Sequence, residues 1–210
     1  MSRRALAVGV IVALVVTGCA APSKQYVNAD SYGMFLSLPR EWVQVPDQQL
    51  KTAQSGWSDD PGQVFTQTVL WQKVWGPKGV TPDTVFSADP SDKPTAYAFV
   101  RDLLNVEQQQ LGTDIATSLQ DLIIPASSLA DAGIAVDTEQ WRKNGFVGIH
   151  QRASYPTSAG SSTTEVVSMV SPKQNRLYVL VLRCSDDCFE VHRNDFTQIV
   201  DSLTFKESRA

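Results

Sequence analysis

Hydrophobic and polar positions change rhythm several times along the chain, and most of those rhythms predict strands. Tyr32, Met34, Leu36 and Leu38 alternate with other residues at the two-residue period of a strand with one buried face. Residues 64–75 are rich in β-branched and aromatic side chains and read as one long strand. Residues 146–155 and 163–170 read as two more, the second leading into a loop at 171–175. The run Leu177-Tyr178-Val179-Leu180-Val181-Leu182 is apolar without a break, which predicts a central strand covered on both faces. Weaker strand patterns lie at 119–124 and 134–141.

Two segments carry the helical period. Residues 95–111 follow Pro94, stack Ala96, Phe99, Val100 and Leu103 on one face, and stop before Gly112. Residues 195–203 place Phe196, Ile199, Val200 and Leu203 at i, i+3, i+4 and i+7, with Asn194 as N-cap. Residues 76–94, with four prolines, and the Ser/Thr-rich 157–164 read as surface loops. Strand content above helix content predicts an α+β fold, a mainly antiparallel sheet flanked by helices.

The N-terminus has a different character. Arg3 and Arg4 precede a twelve-residue apolar run, Ala5 to Val16. That run is shorter than the roughly 20 residues a membrane-spanning helix needs, and it fits a secretory signal. Val16-Thr17-Gly18-Cys19 then resembles the bacterial lipobox, in which the cysteine thiol is diacylated and the chain is cut before it. The expected organisation is a lipoprotein signal peptide over 1–18, a lipidated tether over 19–30, and one domain over 31–210. The mature protein would be exported and held on the outer face of the cell membrane by Cys19. An extended tether of that length reaches at most about 40 Å.

Charge and composition remove some partners. The chain carries −4 at neutral pH, and loss of Arg3 and Arg4 leaves −6. That balance argues against a nucleic-acid partner. Two histidines and three cysteines are too few for a multi-metal enzyme, and the sequence holds no P-loop, G-x-G-x-x-G or H-E-x-x-H, so no cofactor or metal is expected. Gly56-Trp57-Ser58-Asp59-Asp60 lacks the second glycine of a nucleophile elbow. Asp59-Asp60-Pro61-Gly62 reads as a turn, and His150 as a solvated strand histidine. With Cys19 lipidated, Cys184 and Cys188 remain as an even pair, which in an oxidising compartment predicts a disulfide clamping a short turn. The rival is a soft-metal set of Cys184, Cys188 and His192, which recur every four residues. Of five tryptophans, Trp42 and Trp71 read as core, whereas Trp57 and Trp75 lie beside turns and are the candidate ligand-binding residues.

Both ends of the domain carry a family signature. Tyr32-Gly33-Met34-Phe35-Leu36-Ser37-Leu38-Pro39-Arg40-Glu41-Trp42 resembles the opening strand and Pro-x-Gly-Trp turn of PsbP/Mog-type domains, with Glu41 in place of the glycine. Phe196-x-x-Ile199-Val200-x-Ser202-Leu203-x-Phe205 resembles their last helix and terminal element. Actinobacterial cell-envelope lipoproteins of this fold carry the same arrangement behind a lipobox. The resemblance implies an α/β/α sandwich but says little about activity; the sequence as a whole reads as a non-enzymatic binding or scaffold module with an envelope lipid or protein partner. The alternatives are a carrier or sensor holding an envelope lipid or glycolipid in an apolar groove, and an unrecognised hydrolase. A cavity of about 300 Å³ or more would favour the carrier.

Overall fold

The computed structural model describes residues 23–57, 60–87, 89–111, 115, 118–119 and 134–207. Among the described residues ten strands form two sheets, and every pairing is antiparallel. The larger sheet has the order β3-β4-β5-β9-β8-β7-β6. Its strands are β3 (Val43–Gln44), β4 (Val69–Gly76), β5 (Thr95–Asp102), β6 (Val136–Lys143), β7 (Phe146–Thr157), β8 (Gly160–Val170) and β9 (Arg176–Ser185). The smaller sheet joins β1 (Lys24–Ala29), β2 (Met34–Pro39) and β10 (Thr204–Phe205) in the order β1-β2-β10. Helices flank these sheets, as the strand-rich pattern predicts; the second sheet was not legible in it.

β9 stands in the middle of the seven, and Leu177 to Leu180 and Leu182 are all buried, as the unbroken apolar run requires. On one face of the large sheet, Ala96, Ala98, Val167, Met169, Tyr178 and Leu180 meet Met34, Leu36 and Leu38 of β2. The same core takes in Phe196, Ile199 and Val200 of α6 (Arg193–Ser202). On the other face lie α1 (Asp47–Gln54), α2 (Asp60–Thr68), α3 (Asp83–Phe86) and α4 (Asn105–Gln110), over Val74, Tyr97, Ile149 and Val179. Gly148 lies opposite Met169, and a Cβ there would stand 1.9 Å from the Ser168 carbonyl, so the β7–β8 contact excludes any larger residue.

Several expectations are corrected. Residues 95–111 are not one helix but β5 followed by α4. The run Ala96 to Val100 is apolar at consecutive positions, a pattern that fits a helix face and a doubly covered strand equally well, and pairing with β9 over eight residues decides for the strand. Residues 64–75 split into the end of α2 and β4. Phe65 packs edge-on to Phe99 at 5.1 Å, and the Thr68 hydroxyl donates to the Val64 carbonyl at 2.7 Å where the helix closes. Asp60-Pro61 opens that helix instead of forming a turn, because a proline in the first turn loses no hydrogen bond.

The loop expected at 157–164 shrinks to Ser158-Ala159 between long strands. Its hydroxyls are absorbed by partners: Thr163 donates to Asp186 at 2.6 Å, and Ser162 to the Cys184 carbonyl at 3.2 Å. The stretch 76–94 contains α3 and buries Val80 and Val85. Arg183 pins it by donating to the Val85, Ser87 and Asp89 carbonyls. Six residues of the expected tether form β1, where Ala29 is buried and Val27 packs on the core. The last helix starts at Arg193, with His192 and not Asn194 as N-cap. The strand pattern at 119–124 lies outside the described residues apart from Leu119, which is helical and buried.

Candidate functional site

Cys19 and the signal segment lie outside the described residues. Cys184 and Cys188 are joined in a disulfide with their Cα atoms 5.8 Å apart. β9 ends at Ser185, whose hydroxyl accepts from the Cys188 N–H at 3.4 Å and starts α5 (Asp186–Val191). The bond thus clamps the reversal from the central strand into the helices. Both sulfurs are spent on each other, and His192 turns to Asp195, its Nδ1 3.1 Å from the carboxylate, so the soft-metal alternative has no assembled ligand set here.

His150 is not the solvated histidine expected. Neighbouring strands bring His150, Arg152 and Glu165 to one face, where Glu165 is 2% exposed. One carboxylate oxygen, Oε1, lies 2.6 Å from His150 Nε2 and 2.9 Å from Arg152 Nη2. Trp141 covers the imidazole at 5.0 Å, and Arg152 reaches over Phe189 of α5 at 5.2 Å. Burial pushes the Glu165 carboxyl up, but the His150 hydrogen bond and the Arg152 charge outweigh it and hold the group below the usual carboxylate range. Glu165 Oε2 and Arg152 Nε are both buried without a partner, each belonging to a pair that is already joined through its other atoms. This cluster ties β7 to β8 and carries β6 through Trp141.

The tryptophan assignments are partly reversed. Trp75 is buried at 2% exposure, because its position on β4 faces Ala96 and the core. Trp57 is half-buried against Phe65 and Phe86, with ring centroids at 5.8 and 5.0 Å. Trp42 is core as expected. Trp71, expected in the core, is half-buried and lines an open cleft of about 280 Å³ between β4 and α1. Leu50, Leu70 and Trp71 supply its apolar wall, and Asp47, Lys51 and Lys73 its polar rim. Lys73 is committed to Asp47, 2.7 Å from each carboxylate oxygen, whereas Lys51 is exposed and has no carboxylate partner among the described residues.

The cleft exists because β4 is only partly covered. β3 pairs with Trp75 and Gly76 alone and Val45 N–H donates to the Val74 carbonyl, so among the described residues no strand flanks the outer edge of 69–73. Gln72, between the two aromatics, accepts from the Tyr97 hydroxyl at 2.9 Å and exchanges side-chain hydrogen bonds with Gln54, which fixes α1 beside the strand. The signal that could have found this site is the alternation Trp71, Lys73, Trp75, which sets a lysine between two tryptophans along the strand.

A second cleft, of about 240 Å³, opens where β1 begins and β2 ends. Lys24, Glu41, Asp195 and Gln198 rim it over Leu38 and Ile199, with charges of both signs. Neither cleft reaches the size that marks an enclosed small-molecule cavity, about 300 Å³.

No protein-family model matches the chain, and no curated protein matches it. Solved structures do. A cyanobacterial PsbP from Synechocystis sp. PCC 6803 superposes with a TM-score of 0.52 at 13% identity, covering 90% of this chain and 96% of that one. The domain has the PsbP fold. LpqN of Mycobacterium tuberculosis, described as involved in cell envelope biogenesis, is similar with a TM-score of 0.50 at 18% identity, over 88% of this chain and 92% of its own. At such identities the likeness is one of fold. Among the described residues, no helix of this PsbP-type domain is long and apolar enough to cross a membrane.

Proposed function

We propose that the chain is an exported, lipid-anchored envelope protein whose PsbP-type domain acts by binding and not by catalysis. The observation that carries this reading is the Cys184–Cys188 disulfide, since such bonds persist where thiols are oxidised, outside the cytoplasmic membrane. It agrees with the basic start, the apolar run and the lipobox-like Val16-Thr17-Gly18-Cys19. The part LpqN takes in envelope biogenesis supports the same compartment. His150 is covered by Trp141 and shares the buried Glu165 carboxylate with Arg152, a setting between packed strands that favours a structural role for it.

The corrected start of the domain changes the geometry of anchoring. Lys24 already belongs to β1, so four residues, 20–23, separate Cys19 from the first strand and span at most about 14 Å. On this reading the domain works directly against its membrane. The test is Cys19→Ala followed by fractionation: the protein should leave the membrane for soluble or precursor fractions and stop incorporating labelled fatty acid. Unchanged membrane partitioning would refute the anchor.

A further inference from the structure

The α1–β4 cleft differs from the second cleft in two respects that point one way. Its wall is apolar, from Leu50, Leu70 and Trp71, and Trp71 is backed by Trp75 at a ring distance of 6.1 Å. Its rim carries two ammonium groups against one carboxylate. Because Asp47 gives both oxygens to Lys73, the positive charge left over is that of Lys51. A chain of net charge −4 therefore presents a local cationic point beside an apolar wall. The second cleft offers no such asymmetry, since Lys24 faces Glu41 and Asp195.

A strand edge that pairs with no strand invites one, yet this edge is defended against it. The β4–β5 register shifts between Val69 and Trp71, Lys73 sits on the strand, and α1 stands alongside it. Irregular pairing, lysines and a covering helix are the means by which sheet edges refuse strand addition. What remains compatible is a molecule that needs the wall and the charge but no ladder of backbone hydrogen bonds.

We infer that the α1–β4 cleft binds the anionic head and first methylenes of a single-chain amphiphile, with Lys51 facing the head and Leu70 and Trp71 the chain. The inference deepens the reading of the domain as a binding module and does not depend on the anchor. A cleft of about 280 Å³ that is open to solvent holds part of one chain and does not enclose a two-chain lipid.

The test uses the full-length protein in membranes of the cells that make it. The probes are hexadecanoic acid carrying a diazirine near its carboxylate and a hexadecyltrimethylammonium ion carrying the same group. After irradiation, adducts are mapped by peptide mass spectrometry. The carboxylate probe should label the peptides holding Lys51 and Leu70–Trp71, and the cationic probe should not. Lys51→Glu should lower that labelling about tenfold and Lys51→Arg should retain it, as expected for an exposed charge whose sign alone matters. Equal labelling by the two probes, adducts confined to other peptides, or full labelling of Lys51→Glu would each overturn the inference. Running the probes on Cys19→Ala separates the two ideas: adducts at the cleft in a variant that still partitions to membrane would retain this site while the anchor falls, and loss of adducts in an anchored protein would do the reverse.

Discussion

At the scale of single residues, the buried carboxylate Glu165 decides most. Its carboxyl lies below the usual range in the folded chain, so folding favours its ionised form. The stability it contributes is present above the unfolded-chain value, near pH 4.5, and is lost as pH falls through the lower folded value. Glu107 behaves alike: burial pushes it up, and the Arg101 guanidinium, at 2.6 and 2.8 Å, more than reverses that. Urea midpoints should therefore drop steeply from pH 5 towards pH 3. Glu165→Gln should be destabilised by about 1–3 kcal/mol at pH 7, where His150 and Arg152 lose their carboxylate, and should show a shallower acid limb than the parent. Parallel acid limbs would show that Glu165 does not titrate with folding. At the β9–α5 corner, Cys184→Ser with Cys188→Ser should cost about 2 kcal/mol, the chain-entropy value for a five-residue loop, read as a lower thermal midpoint under non-reducing conditions.

At the scale of elements, α6 gives a direct check. Ile199 is 1% exposed and packs on the core, whereas Gln198 lies exposed on the cleft rim. Ile199→Ala should destabilise by about 2–5 kcal/mol, and Gln198→Ala by no more than about 0.5 kcal/mol, in denaturant titrations. Comparable losses at the two positions would mean that the helix faces another way. This helix was legible because Phe196, Ile199 and Val200 alternate with polar residues, so the period shows. β2, β7, β8 and β9 were legible for related reasons, their alternation or unbroken apolarity matching their place in the sheet. β5 was not, because Ala96 to Val100 is buried on both faces and so carries no period that separates strand from helix. α2 was hidden by Val64, Phe65, Thr66 and Thr68, residues of high strand propensity, in a helix that Phe65 packs against Phe99 and Trp57. The cleft was missed for another reason: Trp75 stands beside Gly76 and Pro77 and reads as exposed, yet it is buried, whereas Trp71, which reads as core, lines the cleft.

At the scale of the whole molecule, a PsbP-type domain follows an N-terminus that reads as an export and lipidation signal. On the proposed reading, the Cys184–Cys188 disulfide fits folding in an oxidising space, and the short span before β1 would keep the domain close to its membrane. The charge of −6 expected after processing gives it no general attraction for anionic headgroups, so the proposed envelope contact rests on the Cys19 anchor and on specific sites. Intact mass spectrometry of the protein extracted from membranes tests this most directly. The predicted mass lacks residues 1–18, carries a diacylglyceryl group at Cys19, and is lighter than the dithiol form by the two hydrogens lost in joining Cys184 to Cys188. A mass that retains the first eighteen residues without lipid, or that takes up a thiol reagent at Cys184 and Cys188 without prior reduction, would contradict the account.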